Sequence, residues 1–261
     1  MKNPDIVYKY RNWKDDFHKN ILYKNQLHLT SPKDFNDPFD CCITENFLLL
    51  DDDIKIKEFV DQAINRQAKE LVSQGRDLEK ERIELIKNFD VNEIQNKVLE
   101  DAPNERNMHG ILSLSTRWNS VLMWSHYGDF HRGFCIGFDE KKLRESGKFG
   151  FWGYVKYDNE MPKIDPREYF NIESHFKKTY SKSIDWSYEK EYRLMKNFYC
   201  DKDECNRIIT VRDDCFREII LGMDISGMDK EAIISIANKK GIKIFQATKI
   251  SDKFELNRYE I

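Results

Sequence analysis

The chain has 261 residues, long for one domain and short for two full ones, and it is 40% hydrophobic and 34% charged, a foldable rather than a disordered composition. A net charge of -3 excludes a global basic field for nucleic acid, although 43 Lys and Arg leave room for a local patch. No apolar run reaches the ~18 residues of a membrane span, and Met-Lys-Asn-Pro-Asp at the start lacks the apolar core of a signal peptide, so a cytosolic, cytoplasmic protein is expected.

Residues 5–11 alternate apolar and polar and predict a first strand, and residues 13–20 a short helix or turn. Residues 26–30 predict a second strand. The segment 31–40, with Asn36-Asp37-Pro38-Phe39-Asp40, is rich in turn formers and predicts a loop. Over 51–102 the apolar residues recur at helical spacing, with Asp51, Asp52 and Asp53 as cap candidates and Gly75 as an interruption. This predicts two or three helices forming an insertion closed by Pro103. Strands are expected at 110–116 and 133–138, a short helix at 120–128, helix signals at 139–145 and a strand around 154–157. A helix is expected over 167–181, a strand over 186–199, and a strand or turn over 214–221. The helix 229–240 ends at Gly241, placed as a C-cap, and strands follow at 242–246 and 253–259. With no internal repeat and no low-complexity linker, the pattern predicts a single α+β domain over 1–261, with a mainly antiparallel sheet core and a helical insertion. The 13% aromatic content points to an aromatic core.

The six cysteines, Cys41, Cys42, Cys135, Cys200, Cys205 and Cys215, form no Cys-x-x-Cys pair, so zinc is not expected and reduced, mostly buried thiols are. No Gly-x-Ser-x-Gly elbow, P-loop or Gly-x-Gly-x-x-Gly element is present, which argues against those hydrolase and nucleotide-binding classes. The densest chemistry lies in Ile184–Leu194. On an alternating strand Glu189, Glu191 and Arg193 share one face, giving a carboxylate pair with Arg193 as its ion-pair partner. A second cluster, Ser113–Gly133, holds Ser115, Trp124, His126, Tyr127 and His131. The two histidines are five apart, which is not the spacing of a helical metal pair.

Tyr8-Lys9-Tyr10-Arg11, Phe35–Asp40, Leu114-Ser115 with Met123–Asp129, His131 and Gly133, Trp186-x-Tyr188-Glu189-x-Glu191-Tyr192-Arg193, and Ile219–Gly222 together resemble the bacterial family known as domain of unknown function 2971. That resemblance implies a bacterial, cytosolic protein and a link to phage defence, as an effector or toxin. Arg11, then Ser113-Leu114-Ser115-Thr116, then Glu189-Lys190-Glu191 also resemble, in order, the three dispersed elements of ADP-ribosyltransferases. This second resemblance implies an NAD-consuming enzyme with NAD as co-substrate, NAD or another nucleotide as its small-molecule partner, and a protein or nucleic-acid acceptor; no metal is expected. Glu191 would hold the ribose and stabilise the charge built there as the nicotinamide–ribose bond breaks. Glu189 would orient the acceptor, Arg11 would contact the pyrophosphate, and Ser115 would support Glu191 or the ribose. His126 joins the catalytic candidates. Tyr10, Trp124, Tyr127, His131 and Arg193 are the cofactor-contacting candidates, with Trp124 or Tyr127 stacking on nicotinamide. Two other readings stay open. One is a nucleic-acid-directed hydrolase using His126, His131, Asp37, Asp40 and Glu191. The other is a non-catalytic ligand-binding or sensor module, and in every case a homo-oligomer is allowed.

Overall fold

A computed structural model describes residues 2–198 and 206–261. Cys200 and Cys205, and the expected end of a strand at Tyr199, lie outside the described residues. The architecture is α+β with a mainly antiparallel sheet. The elements run β1 (Ile6–Arg11), α1 (Asp16–Lys24), β2 (Gln26–His28), α2 (Asp53–Ser73), α3 (Leu78–Lys87), α4 (Val91–Asn107), β3 (His109–Ser115), α5 (Val121–Tyr127), β4 (Phe134–Asp139) and α6 (Glu140–Arg144). They continue β5 (Phe151–Tyr154), β6 (Lys156–Asp158), α7 (Ile172–Thr179), β7 (Ser181–Ser183), β8 (Glu191–Asn197), β9 (Ile208–Thr210), β10 (Phe216–Leu221), α8 (Gly227–Lys240), β11 (Lys243–Lys249) and β12 (Leu256–Glu260).

The chain divides into two compact units. The first holds residues 1–36, 107–159 and 182–261, and the second residues 37–106 and 160–181. In the first unit eight strands form one sheet in the order β12-β11-β10-β4-β1-β3-β8-β5, and β10 with β11 is its parallel pair. Period-two alternation sorts the side chains onto two faces. Val7, Leu112, Leu114, Phe134, Ile136, Tyr192 and Leu194 join Ile21, Leu22, Ile233 and Ala237 of α1 and α8 in one core. Tyr8, Tyr10, Cys135 and Ile220 pack with Met123 and Trp124 of α5 on the other face.

One junction in the sheet is thin. β1 matches β4 over six residue pairs and β3 matches β8 over seven, but β1 and β3 meet at Tyr8↔Ser115 alone. Further along β3, Ile111 exchanges both backbone hydrogen bonds with Thr30 instead, at 2.9 Å each. The sheet therefore forks between β1 and β3.

In the second unit α2 starts at the Asp52 cap, whose carboxylate accepts from Lys55 N–H, and buries Val60, Ile64 and Leu71 against Leu78 and Phe89. Three helices occupy the segment where two or three were expected. Pro103 does not close the last one, which runs a further turn to Asn107 with the proline inside it. The ring removes one backbone donor, and the helix continues past that loss. The helix expected over 167–181 is shorter: Pro166–Glu168 forms a 3-10 turn, and Asn171 then caps α7.

The largest departure falls on the densest motif. Ile184–Glu189 is a 3-10 helix capped by Ser183, and the strand begins only at Glu191. Lys190 has φ 45, a left-handed turn that redirects the chain into β8. Glu189 thus does not share a strand face with Glu191 and Arg193. Local side-chain capping overrides the alternation read from the sequence.

Candidate functional site

Antiparallel register places Ser115 opposite Glu191 and Ser113 opposite Arg193 on the face of the sheet that carries Tyr8. Arg193 is fully buried and grips Glu191 with a two-armed pair, Nε–Oε1 2.8 Å and Nη2–Oε2 2.9 Å. The guanidinium carbon lies 5.6 Å from the Phe35 ring centroid. The Glu191 N–H donates to the Tyr157 hydroxyl at 2.8 Å, which holds the first residue of β8 in place.

Although Glu189 sits on the 3-10 turn, its carboxylate returns to the same spot. Lys182 donates to Glu189 Oε2 at 2.6 Å and to Glu191 Oε2 at 3.4 Å, so one ammonium bridges the two acids. The Tyr127 hydroxyl donates to Glu189 Oε1 at 2.7 Å. Ser115 Oγ donates to the Glu189 carbonyl at 2.6 Å and accepts from Arg117 N–H at 3.1 Å, which ties the turn to the end of β3. Both acids are 4% exposed. Two carboxylates and two cations make this quartet neutral, which is what burial of charge requires. Burial alone would raise the Glu191 carboxyl. Arg193 first and Lys182 second overrule it, with hydrogen bonds from Arg193 and Ser113, and hold it at about 2. Burial and the Glu189 carboxylate push the Tyr127 phenol up, so it stays a donor.

Lys9 connects this cluster to the fork. Its ammonium donates to the Ser113 carbonyl at 2.5 Å, a main-chain acceptor left open where β1 and β3 part. Burial and then Arg11 push the Lys9 ammonium well below the ordinary lysine range, while Glu191 and Glu189 pull it back up. Lys9 therefore feels both the Arg11 cation and the acid pair.

The sequence candidates distribute unevenly. Glu189, Glu191, Ser115, Tyr127 and Arg193 come together, with Arg193 paired to Glu191 as expected. Ser115 supports the Glu189 backbone rather than the Glu191 carboxylate. Arg11 alternates onto the opposite face of β1 from Tyr8 and Tyr10. Its guanidinium reaches only the Tyr10 carbonyl, at 3.3 Å, and its buried Nε has no partner among the described residues. Trp124 and Tyr10 are core residues at 0% and 2% exposure, set edge to face at 5.1 Å, so neither ring offers a free face for stacking. The Tyr10 hydroxyl is taken by the Arg117 carbonyl at 2.7 Å. His131 lies parallel to Trp124 at 6.1 Å, and His126 is exposed beside Tyr188 at 5.8 Å.

Lys182, Tyr157 and Lys9 are the members that sequence reasoning missed. Lys9 carried a usable signal, because an alternating strand places it inward with Val7. Lys182 and Tyr157 carried none, since neither lies in a motif and only the fold brings them to the acids. The fork itself is invisible to local periodicity.

A family model described as a protein of unknown function (DUF2971) matches residues 123–194. That span contains α5 from Met123 onward, Lys182 and the Glu189–Arg193 cluster, but not Tyr8–Arg11, the Phe35–Asp40 loop or Ile219–Gly222. No curated protein and no solved structure matches the chain.

Proposed function

We propose that this chain is an ADP-ribosyltransferase-like, NAD-consuming enzyme whose chemistry centres on Glu191 and Glu189. The observation that carries this reading is a buried carboxylate pair bridged by Lys182, with the buried Lys9 ammonium on the Ser113 carbonyl at the fork acted on by both acids and by Arg11. A carboxylate held near a pKa of 2 stays anionic at every physiological pH. Such a fixed charge suits stabilisation of positive charge developing on a ribose. Glu189, joined to the Tyr127 hydroxyl, suits the handling of an acceptor proton. The orphaned Arg11 Nε and the Lys9 ammonium suit phosphate oxygens, which would satisfy both. Trp124 drops out as a nicotinamide stacker and Tyr10 as a cofactor contact, since both are buried. The half-buried Trp186 and Tyr188 take that role beside the acid cluster.

The neutrality of the quartet favours a second reading. Acids already saturated by Lys182, Arg193 and Tyr127 fit a non-catalytic nucleotide-binding module. Incubation of the chain with NAD, alone and with bacterial extract, separates the two. The enzyme reading expects nicotinamide release that Glu191→Gln abolishes. NAD binding without release, from folded protein and with every extract, would leave the binding module. Absence of both binding and release would remove both.

A further inference from the structure

We propose that the second unit carries a separate small-molecule site for a free α-amino acid with a large apolar side chain. A pocket of about 270 Å³ opens between the Phe47 turn, α2, α4 and the segment Pro166–Phe170. Its floor is apolar: Phe47 and Phe59 meet edge to face at 5.3 Å, flanked by Val98 and Pro166. Its rim carries Phe170, which is 71% exposed and set perpendicular to Tyr169 at 4.6 Å.

The charges on this wall are the informative part. Glu45 is buried and satisfied by Lys178 at 2.6 Å. Arg66 has no acid partner among the described residues. Its guanidinium carbon lies over Phe170 at 4.5 Å, and its hydrogen bond goes to the neutral Gln62 at 2.9 Å. Asp101 has neither an ion pair nor a side-chain hydrogen bond among the described residues. One apolar pocket therefore presents one cation and one anion, neither of them in an ion pair among the described residues.

A lone carboxylic acid would match Arg66 and face Asp101, and a lone amine would match Asp101 and face Arg66. A zwitterion matches both, with its carboxylate on the planar guanidinium fork and its ammonium on Asp101. The apolar floor then takes the side chain. The volume lies just under the ~300–1,000 Å³ range of pockets for larger ligands, which suits a single amino acid and excludes a dinucleotide. This site is thus independent of the NAD reading.

Isothermal titration of the full chain with L-phenylalanine and L-leucine tests it, beside N-acetyl-L-phenylalanine and L-phenylalaninamide. The free amino acids are expected to bind at least about tenfold more tightly than either blocked form. Asp101→Asn should remove the penalty of the acetyl group and leave that of the amide. Arg66→Met should do the reverse. Both residues are exposed, and an unchanged thermal melt confirms that the variants fold. No heat from any standard amino acid at millimolar concentration overturns the proposal, as does binding that ignores both blocked ends.

Discussion

Lys182 and Glu189 form a buried ion pair at 2.6 Å, with side-chain exposures of 5% and 6%, and the same ammonium reaches Glu191 at 3.4 Å. Deleting the cation leaves two carboxylates facing each other, with Arg193 still paired to Glu191 but no ion-pair partner for Glu189 among the described residues. Loss of one partner from a buried pair costs about 3–5 kcal/mol. Lys182→Met is expected to lower unfolding stability by that amount in urea titrations. Lys182→Arg, which keeps the charge, should recover much of it. A Lys182→Met variant within 1 kcal/mol of the parent would mean that the bridge is no stronger than a surface pair.

Acid should expose the same network. The Glu191 carboxyl falls from an ordinary 4.5 to about 2 in the folded chain. A depressed folded value means that the stabilisation is present in full above the unfolded pKa and is lost as pH falls through the folded one. Stability should therefore decline between pH 4.5 and about 2. Glu191→Gln should be less stable at neutral pH and show a shallower acid slope. Parallel slopes for the two proteins would contradict the assignment of this titration to Glu191.

Much of this fold is local and so was legible. The Asp52 cap, Gly241 at φ 66 and the alternation of β1, β3 and β4 all follow from spacing and turn chemistry. The cluster was half legible. Glu191 and Arg193 lie two apart on a strand, and their pairing follows from periodicity. Glu189 reached the same place for a reason that periodicity does not contain: a 3-10 turn, a left-handed Lys190 and Ser115 on its carbonyl. Trp124 looked like a stacking platform because sequence shows ring type and not burial. Its place between Tyr10 and His131 is decided by packing from distant segments.

Asp129, Phe130 and His131 are consecutive left-handed residues, at φ 50, 53 and 66, and none is glycine. Backbone bonds hold the turn: His131 N–H to the Trp124 carbonyl at 3.3 Å and Asp224 N–H to the His131 carbonyl at 3.0 Å. A left-handed residue with a side chain costs roughly 1–2 kcal/mol. Phe130 is 67% exposed and buries little in return. Phe130→Gly relieves the strain against a backbone-entropy cost of about 0.5–1 kcal/mol. The net expectation is unchanged or raised stability by thermal melting. Gly133→Ala should do the opposite, since its Cβ would meet the Arg11 carbonyl at 2.1 Å. A Gly133→Ala variant as stable as the parent would show that β1 shifts freely there.

Lys9 separates function from stability. Burial and Arg11 both disfavour its charge, and its ammonium donates to the Ser113 carbonyl. Removing a cation whose charge burial and Arg11 both disfavour relieves an unfavourable contribution, which offsets the roughly 1–3 kcal/mol cost of leaving the Ser113 carbonyl without its donor. Lys9→Met should therefore melt no lower than the parent. If the fork takes a nucleotide phosphate, the same change should weaken NAD binding about tenfold or more, with Arg11→Met weakening it in parallel. The measurement is NAD titration of both variants beside their melting curves. A Lys9→Met protein that is destabilised and binds NAD unchanged would make the ammonium a fastener for the Ser113 carbonyl and move the phosphate site away from the fork.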